Sequence, residues 1–420
     1  MADLPLLMMV LALAASAWRL PWVGLLGVLF VGILHPQNYA DDFMRGLPIY
    51  AALLSNLLLA SAWDFARNRT WPRLFWDWHI GVLLVMWAWF GLTTYFAINP
   101  VMAPGKLLDV SKSLVPMLLI GVLIDSKEKL RWLLITLALA IAAIVLKGGY
   151  WALIHGFQDR VYGPEGSAYG GNNEFAVVTT MAIPLLVFWY RSLHGQVWRW
   201  VVATLVILAF ISALSSWSRG GMLSALAVAI LLVWQSRRKW LAIPILLVGV
   251  GLIFVGLPDA WFARMQTLGA PALEGSASSR LVMWHIGWNY ALQHPWFGSG
   301  FESYIFFAPP DVEFRAWHSA YVQVAAEQGL AGLALYGALI GSTLWSLLVL
   351  LARGGQRRRA RHEPSVTWMA AAIFTALVAY LVGAAFLSIA YWELLFLLLA
   401  AAWVLRRLAR RLVLDAASTE

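Results

Sequence analysis

Long apolar runs constrain the fold of this chain more than any other feature of its sequence. Runs of about 20 residues recur from end to end, and a helix of that length crosses the hydrocarbon core of a bilayer. Only 12% of the 420 residues are charged, whereas a soluble domain keeps roughly 25%. The sequence therefore predicts an all-α polytopic membrane protein with about twelve transmembrane helices. The predicted spans are 20–34, 47–63, 78–97, 107–125, 131–150, 173–190, 198–214, 218–235, 239–256, 330–352, 366–386 and 388–405.

The first apolar stretch, 4–17, is short for a membrane crossing and runs into Arg19. The small residues Ala15 and Ala17 after an apolar run are typical of a signal-peptide cleavage site. A signal peptide, however, has a basic start, and this stretch is preceded by Asp3 and no Lys or Arg. We therefore predict that it is part of the mature protein. It is either a thirteenth crossing or a half-inserted or hairpin element.

Clusters of basic residues predict which side of the membrane faces the cytoplasm. In the twelve-span arrangement every cluster falls on the same side, and cytoplasmic loops carry such an excess of Lys and Arg. We therefore interpret the net charge of +9 as topology and contact with anionic lipids, not as a nucleic-acid-binding surface. The clusters are Arg67, Arg69 and Arg73; Lys127, Lys129 and Arg131; Arg191 and Arg199; Arg237, Arg238 and Lys239; Arg353, Arg357, Arg358, Arg359 and Arg361; and Arg406, Arg407, Arg410 and Arg411.

The opposite side holds a loop of about sixty residues, 257–317, rich in Gly, Pro, Trp and Ser. Structureless loops longer than about 15 residues are usually functional or disordered, and the many aromatic residues of this loop argue against disorder. Helical segments are predicted within it at 258–266 and 279–293. The chain thus divides into N-terminal transmembrane helices (1–172), core transmembrane helices (173–256), the external loop (257–317), and C-terminal transmembrane helices with a basic tail (318–420).

Two residues at the membrane boundary on this external side are the main candidates for catalysis. His318 closes the long loop where a helix should begin, and an imidazole can take up a proton near neutral pH. The alternative is a residue of an interfacial aromatic belt. Arg280 lies within the loop, and its guanidinium fork matches phosphate oxygens. The alternative here is an ordinary surface arginine.

Two further arginines are candidate anion ligands. Arg219 lies in a tight external turn where the next helix starts, and backbone amides at a helix N-terminus favour anions. Snorkelling to the membrane interface is the alternative. Arg160 precedes the Gly-Gly-Asn-Asn sequence at 170–173, which is typical of a turn or a helix cap. Other candidate contacts to a donor or an acceptor are Asn173, Tyr321 and Glu302.

Motifs for metal and nucleotide chemistry are missing from the sequence. It contains no Walker loop, no zinc-protease helix motif and no cysteine. Asp41 and Asp42 form the adjacent acidic pair outside the membrane, with His35 as a loose partner, and neighbouring carboxylates often point apart. We therefore predict no metal site, and expect arginines to supply positive charge.

These motifs resemble the O-antigen ligase and polymerase superfamily of bacterial envelope glycosyltransferases over about 170–350. Such proteins have about twelve spans and a large periplasmic loop between the ninth and the tenth, as in the charge-based arrangement. An N-terminal stretch is similar to the O-glycosylation ligases associated with exosortase systems. The motifs are the Ser218-Arg219-Gly220 turn, the Arg280 segment ending in Gly298-Ser299-Gly300, His318-Ser319 with Glu327-Gln328-Gly329, and, near the N-terminus, Arg19-Leu20-Pro21-Trp22-Val23-Gly24 and His35-Pro36.

The resemblance implies a C-type glycosyltransferase-like fold. It also implies transfer of a glycan from undecaprenyl diphosphate to an acceptor sugar hydroxyl, such as that of lipid A–core, on the periplasmic face of the bacterial inner membrane. Arg280 and Arg219, with Arg160, would then bind the diphosphate, and His318 would accept or orient the acceptor's proton. Direct attack at the anomeric carbon would invert its configuration. No metal or other cofactor is expected.

Three alternative functions remain open. Within the same superfamily the chain would be a polymerase that joins repeat units, or a ligase that transfers glycan to protein hydroxyls. A lipid or solute transporter is the alternative from another class, but such folds often show inverted repeats, and the sequence shows none. The candidate buried charges for a transporter are Asp109, Lys112 and Glu393.

Overall fold

The computed structural model describes residues 3–69, 77–236, 238–266, 275–309, 316–356 and 364–417, and these are helical with connecting turns. The all-α prediction is confirmed for the described chain. Its helices are α1 (Asp3–Arg19), α2 (Pro21–Leu34), α3 (Asp42–Arg45), α4 (Ile49–Arg67), α5 (Trp78–Tyr95), α6 (Ala103–Leu123), α7 (Lys127–Ile154), α8 (Asn172–Ser192), α9 (Gln196–Ser215), α10 (Arg219–Gln235), α11 (Lys239–Gly256), α12 (Asp259–Gln266), α13 (Gly275–Gln293), α14 (Ala320–Gln356), α15 (Pro364–Ala384) and α16 (Glu393–Ala417).

Each of the twelve predicted spans coincides with one of these helices. Among the described residues, seven helices are long and apolar enough to cross a membrane by length and hydropathy alone: Ile49–Arg67, Lys127–Ile154, Asn172–Ser192, Gln196–Ser215, Lys239–Gly256, Ala320–Ala352 and Ser365–Ala384. Pro21–Leu34 and Arg219–Gln235 are shorter apolar helices. A polytopic membrane protein is therefore confirmed as a class, and the number twelve stays a prediction. Arg73, Arg237 and the arginines at 357–361 lie outside the described residues.

The apolar stretch at 4–17 is one continuous helix that forms an antiparallel hairpin with α2. Helices α1 and α2 approach each other closely, because a Cβ on Gly24 would lie 2.5 Å from that of Ala17. The hairpin is tied to α4 through Asn56, whose Nδ2 donates to the Ala14 carbonyl at 3.0 Å and whose Oδ1 accepts from Trp18 Nε1 at 3.0 Å. The hairpin alternative thus describes the packing of this segment.

Helix α8 is the centre of the bundle and packs against α7, α9, α10 and α15. Its second turn is enclosed at close range, because three neighbouring helices each present a glycine to it. A side chain at any of these glycines would overlap α8, so the helices fix its position closely. The contacts are Gly148 of α7 on Phe175, Gly221 of α10 on Ala176, and Gly383 of α15 on Val177.

Helix α14 is broken near its start. Gly329 has φ 73° and ψ 176°, which is not helical. The break frees carbonyls that would otherwise accept from the next turn, and an unpaired carbonyl is costly in apolar surroundings. The predicted span began only at residue 330, whereas α14 begins at Ala320, so the helix extends on both sides of this interruption.

The segment at 295–300 repairs the break in α14. The amide of Ser299 donates to the Ala326 carbonyl at 2.9 Å, and that of Gly300 donates to the Glu327 carbonyl at 2.8 Å. The Gln328 carbonyl accepts from the indole of Trp89 on α5 at 3.0 Å. On the other side of the break, the Ala331 amide donates to the Pro295 carbonyl at 3.2 Å. The Gly298-Ser299-Gly300 and Glu327-Gln328-Gly329 motifs are therefore halves of one structure.

The basic clusters and the external motifs lie at opposite ends of the same helices. On α7, Lys127 is separated from Lys147 by 20 residues, or about 30 Å at 1.5 Å per residue. Helix α8 begins at Asn172 and carries Arg191 in its last turn. Helix α16 likewise begins at Glu393 and carries its arginines from 406 onward. The two ends named below are the basic end and the external end.

We expect Gly329→Ala to destabilise the protein. At φ 73° an alanine is strained by about 1–3 kcal/mol, and its Cβ would overlap the Trp296 carbonyl oxygen. Gly337→Ala is the matched control, since Gly337 lies on the same helix and has open space around it. That replacement should be neutral or stabilising by up to roughly 1 kcal/mol. Thermal unfolding in detergent measures both variants; equal midpoints would contradict this account of the break.

Candidate active site

A cavity of about 640 Å³ opens at the external end of the bundle. Its walls come from the start of α6, α8 and α16, from the end of α2, and from the turn at 385–392 that joins α15 to α16. The wall carries ionisable, hydroxyl and aromatic side chains, namely His35, Lys106, Asp109, Ser113, Ser167, Tyr169, Glu174, Ser388, Tyr391, Trp392 and Glu393. We call this space the carboxylate cavity.

His318 lies beside the carboxylate cavity, immediately before α14. Its backbone amide donates to Ser388 Oγ at 2.8 Å, and Ser388 is part of the cavity wall. The residue is partly buried, with φ 53° in the left-handed region that side chains rarely adopt. The preceding residue, Trp317, is fully buried and fixes the chain at this point. The structure therefore holds the histidine at the cavity through its own backbone.

Glu327 connects the break in α14 to this site. Its carboxylate is buried and accepts from Trp317 Nε1 at 3.2 Å and from Tyr391 Oη at 2.8 Å. Buried carboxylates need such donors, because burying an unsatisfied charge is costly. One oxygen thus holds the residue before His318, and the other holds a ring of the cavity wall. Glu327 therefore acts as a buried brace between the two.

Arg280, on α13, lies within electrostatic range of the cavity wall. Its guanidinium interacts electrostatically with the carboxylate of Glu174, which lines the wall. One turn further along α13, the ring of Trp284 lies 6.3 Å from that of Phe386 in the 385–392 turn. Helix α13 is thus placed against the segment that also bonds His318. The sequence motifs did not predict this interaction of Glu174.

Arg219 is buried in the first turn of α10, as predicted for a residue at a helix start. The preceding residue, Ser218, caps the helix by accepting from the Gly221 amide at 3.1 Å. Four donors from three elements bond to the carbonyls at and just after the end of α9. Leu214 accepts from Trp261 Nε1 (3.0 Å), Ser215 from the Val161 amide (3.0 Å), Ser216 from Asn172 Nδ2 (2.8 Å) and Trp217 from Arg264 Nε (3.1 Å).

Arg160 lies at this same turn. Its guanidinium lies 5.7 Å from the centroid of the Trp217 ring, within the range of a cation–π contact. Arg160 also lines a second cavity of about 730 Å³ with Lys147, Trp151 and Tyr162. The two cavities share one wall residue, Gly170. Lys147, which sequence reasoning did not single out, therefore stands beside a predicted anion ligand.

The three further candidate contacts, Glu302, Tyr321 and Asn173, lie in different parts of the external end. Glu302 pairs with Lys106 on the cavity wall at 3.1 Å. Tyr321 Oη donates to the Leu381 carbonyl at 2.7 Å and thereby joins α14 to α15. Asn173 lies in the first turn of α8, next to Asn172, whose side-chain amide donates the hydrogen bond to the α9–α10 turn. Their predicted roles stay predictions.

Strained backbone is concentrated around this region. Non-glycine residues with positive φ cost roughly 1–3 kcal/mol each and cluster at functional sites. Four of them belong to the surroundings just described: His35 (φ 47°), Trp217 (φ 58°), Glu302 (φ 55°) and His318 (φ 53°). Burial lowers the pKa of His35, so its imidazole is neutral at pH 7. Within the described ranges, no group of three or more His, Asp or Glu side chains could hold a metal ion.

Comparison with known families divides the chain into two matched regions. Residues 203–337 match the family described as O-Antigen ligase, which confirms the resemblance of the sequence to that superfamily. Residues 1–194 match a family of unknown function, DUF5935. No curated protein matches the chain. Arg219, Arg280 and His318 lie in the first of these regions and Arg160 and Glu174 in the second, whereas Ser388 and Glu393 lie beyond both.

We expect Asn172→Ala to loosen the α9–α10 turn. Removing one donor from a partly buried carbonyl costs about 1 kcal/mol, which corresponds to about five-fold faster local opening. Hydrogen exchange of peptides covering 214–222 measures the effect. The neighbouring substitution Asn173→Ala is the control and should leave exchange of these peptides unchanged. Equal exchange in the two variants would show that the Asn172 bond does not hold the turn.

Proposed function

We propose that this chain, which carries an O-antigen ligase domain at residues 203–337, is a glycosyltransferase that uses a lipid-linked donor. It moves a glycan from undecaprenyl diphosphate to a sugar hydroxyl of an acceptor, for which lipid A–core is the expected molecule. The site faces the periplasm from the bacterial inner membrane. The exosortase-associated subgroup is proposed as its nearest relation within the superfamily.

One observation carries this proposal. A charged arginine and a strained histidine, which come from separate parts of the chain, border one cavity at the external end. Arg280 interacts with Glu174 on the wall, and His318 is bonded through its backbone to Ser388 on the wall. A group-transfer reaction with an anionic leaving group needs a cation and a proton acceptor close to one space.

The chemistry proceeds by displacement at the anomeric carbon. The acceptor oxygen forms a bond to that carbon as the bond to the diphosphate oxygen breaks, and both electrons of that bond leave with the lipid diphosphate. His318 takes the proton of the acceptor hydroxyl. Arg280 and Arg219, with Arg160, stabilise the charge that develops on the phosphate oxygens. A single attack of this kind inverts the anomeric configuration, and the arginines supply the positive charge without a metal.

The positions of the basic residues indicate how the chain is oriented in the membrane. Lys and Arg accumulate in cytoplasmic loops, and the basic end of these helices is opposite to the end that carries the cavity. This distribution supports a periplasmic site. It also fits the substrates, because a glycan attached to a lipid carrier is presented at the membrane surface, beside the mouths of both cavities.

We expect His318→Ala and Arg280→Ala to abolish measurable transfer in membranes. Loss of one general base typically costs 10²–10⁴-fold, and loss of one preorganised donor to a developing anion costs roughly 10²–10³-fold. The assay supplies the lipid-linked glycan and lipid A–core to membranes from a deletion strain that expresses each variant. The deletion strain itself should lose surface glycan and accumulate the lipid-linked precursor.

The matched controls are His194→Ala and Arg67→Ala. Both residues are exposed and lie at the basic end, so these variants should transfer glycan at the rate of the unchanged chain. Near-normal transfer by both His318→Ala and Arg280→Ala, at normal expression, would contradict the assigned roles. Product analysis separates the related activities: a longer glycan on the carrier indicates a polymerase, and glycan on protein indicates a protein ligase. Uptake into proteoliposomes without any glycan product would indicate a transporter.

A further inference from the structure

Carboxylates stand among the polar groups on the wall of the carboxylate cavity. Three carboxylates line it, those of Asp109, Glu174 and Glu393. Among the described residues of the wall, the ammonium group is that of Lys106, which lies 3.1 Å from Glu302 Oε1, so its charge is already compensated. The imidazole of His35 is neutral at pH 7 because burial lowers its pKa. Beside Glu393 and Asp109 the wall therefore favours groups that donate hydrogen bonds over anions, whereas Glu174 already interacts with the guanidinium of Arg280.

Glu393 has the most distinctive position on this wall. It is the first residue of α16, and its Oε1 accepts from Tyr50 Oη at 3.0 Å. In the part of the chain that the structure describes, this hydrogen-bond partner of Glu393 is a phenol and not a cation. Gly32 lies alongside, and a side chain there would collide with the Tyr50 ring. The glycine thus leaves room for the Tyr50 ring beside Glu393.

Asp109 faces the cavity from α6 and is more exposed. Its Oδ1 lies 2.8 Å from Nζ of Lys112, one turn along the same helix, and 66% of its side chain is accessible. Exposed pairs of this kind contribute little to stability. Replacement of Asp109 therefore tests the chemistry of the wall without putting the fold at risk.

Aromatic rings complete the wall. Tyr169 and Trp392 both line the cavity, and their rings meet edge to face with centroids 5.1 Å apart. An aromatic face beside carboxylates suits a pyranose, whose C–H groups stack on the ring while its hydroxyls donate to the carboxylates. The cavity volume of about 640 Å³ lies within the roughly 300–1,000 Å³ of small-ligand pockets.

We infer that the carboxylate cavity binds the acceptor saccharide and selects a neutral or amino-bearing sugar over a uronic acid. Hydroxyl and ammonium groups donate charge-assisted hydrogen bonds to carboxylates, whereas the carboxylate of a uronic acid would be repelled. The identification of the bound sugar as the acceptor rests on the proposed function, whereas the sugar preference does not. The anionic part of the donor is then placed away from Glu393 and Asp109, toward Arg280 and the turn with Arg219 and Arg160.

Binding of three sugars of the same ring type tests the preference. Glucosamine, glucose and glucuronate are titrated at pH 7 onto the full chain in nanodiscs, and saturation-transfer NMR measures binding. We expect glucosamine to bind best and glucuronate worst, with at least a five-fold difference between them. Glu393→Gln and Asp109→Asn should each reduce that difference to less than two-fold. Since Glu393 is the more buried of the two, Asp109→Asn keeps the test decisive if Glu393→Gln does not fold.

The matched control is Asp125→Asn. Asp125 is also an exposed carboxylate paired with a lysine, Lys129, at 2.9 Å, but it lies at the basic end. This variant should keep the full preference. Tighter binding of glucuronate, or a preference that survives both cavity substitutions, would overturn the inference even if glycan transfer is intact. A retained sugar preference without any glycan transfer would contradict the proposed function and leave the cavity assignment in place.

Discussion

The backbone hydrogen bonds across the break in α14 are the constraint on which the external end depends. A helix in an apolar environment cannot leave carbonyls unpaired, and the left-handed Gly329 interrupts the internal ladder. The amides of Ser299 and Gly300 and the indole of Trp89 take over the freed carbonyls. The long loop between α11 and α14 is thereby anchored inside the bundle. Because this anchor joins the loop to α14 next to Glu327, it also sets the position of Trp317 and His318.

From this anchor the site is built by few contacts. Glu327 braces Trp317 and Tyr391, Ser388 bonds the amide of His318, and Glu174 meets Arg280. A second group of contacts gathers around the α9–α10 turn, where Arg160 and Arg219 lie. The two groups come together because α8 carries Asn172 toward the turn and Glu174 toward the cavity.

The helices could be predicted because the length of an apolar run is a local property of the chain. The hydrophobic pattern located a helix at each of the twelve predicted spans, and the predicted loop helices 258–266 and 279–293 correspond to α12 and α13. Arg219, Arg280 and His318 are candidates because of their local motifs, and their roles stay predictions. Glu174 and Arg264 could not be assigned, because the residues with which they interact, Arg280 and Trp217, lie about 50 to 110 residues away along the chain. The early start of α14 was missed because Gly329 resembles a helix boundary unless the segment that repairs it is known.

The placement of Asn172 and Glu174 on α8 has a mechanical consequence. Successive helical residues are rotated by about 100° around the axis, so two side chains separated by two positions point to nearly opposite sides. A roll of α8 would draw Asn172 away from the α9–α10 turn while changing how Glu174 meets Arg280. The glycine contacts on Phe175, Ala176 and Val177 oppose such a roll. These contacts therefore prevent α8 from rotating about its axis. The spacing between Arg280 and the pair Arg160 and Arg219 stays constant only as long as α8 does not rotate.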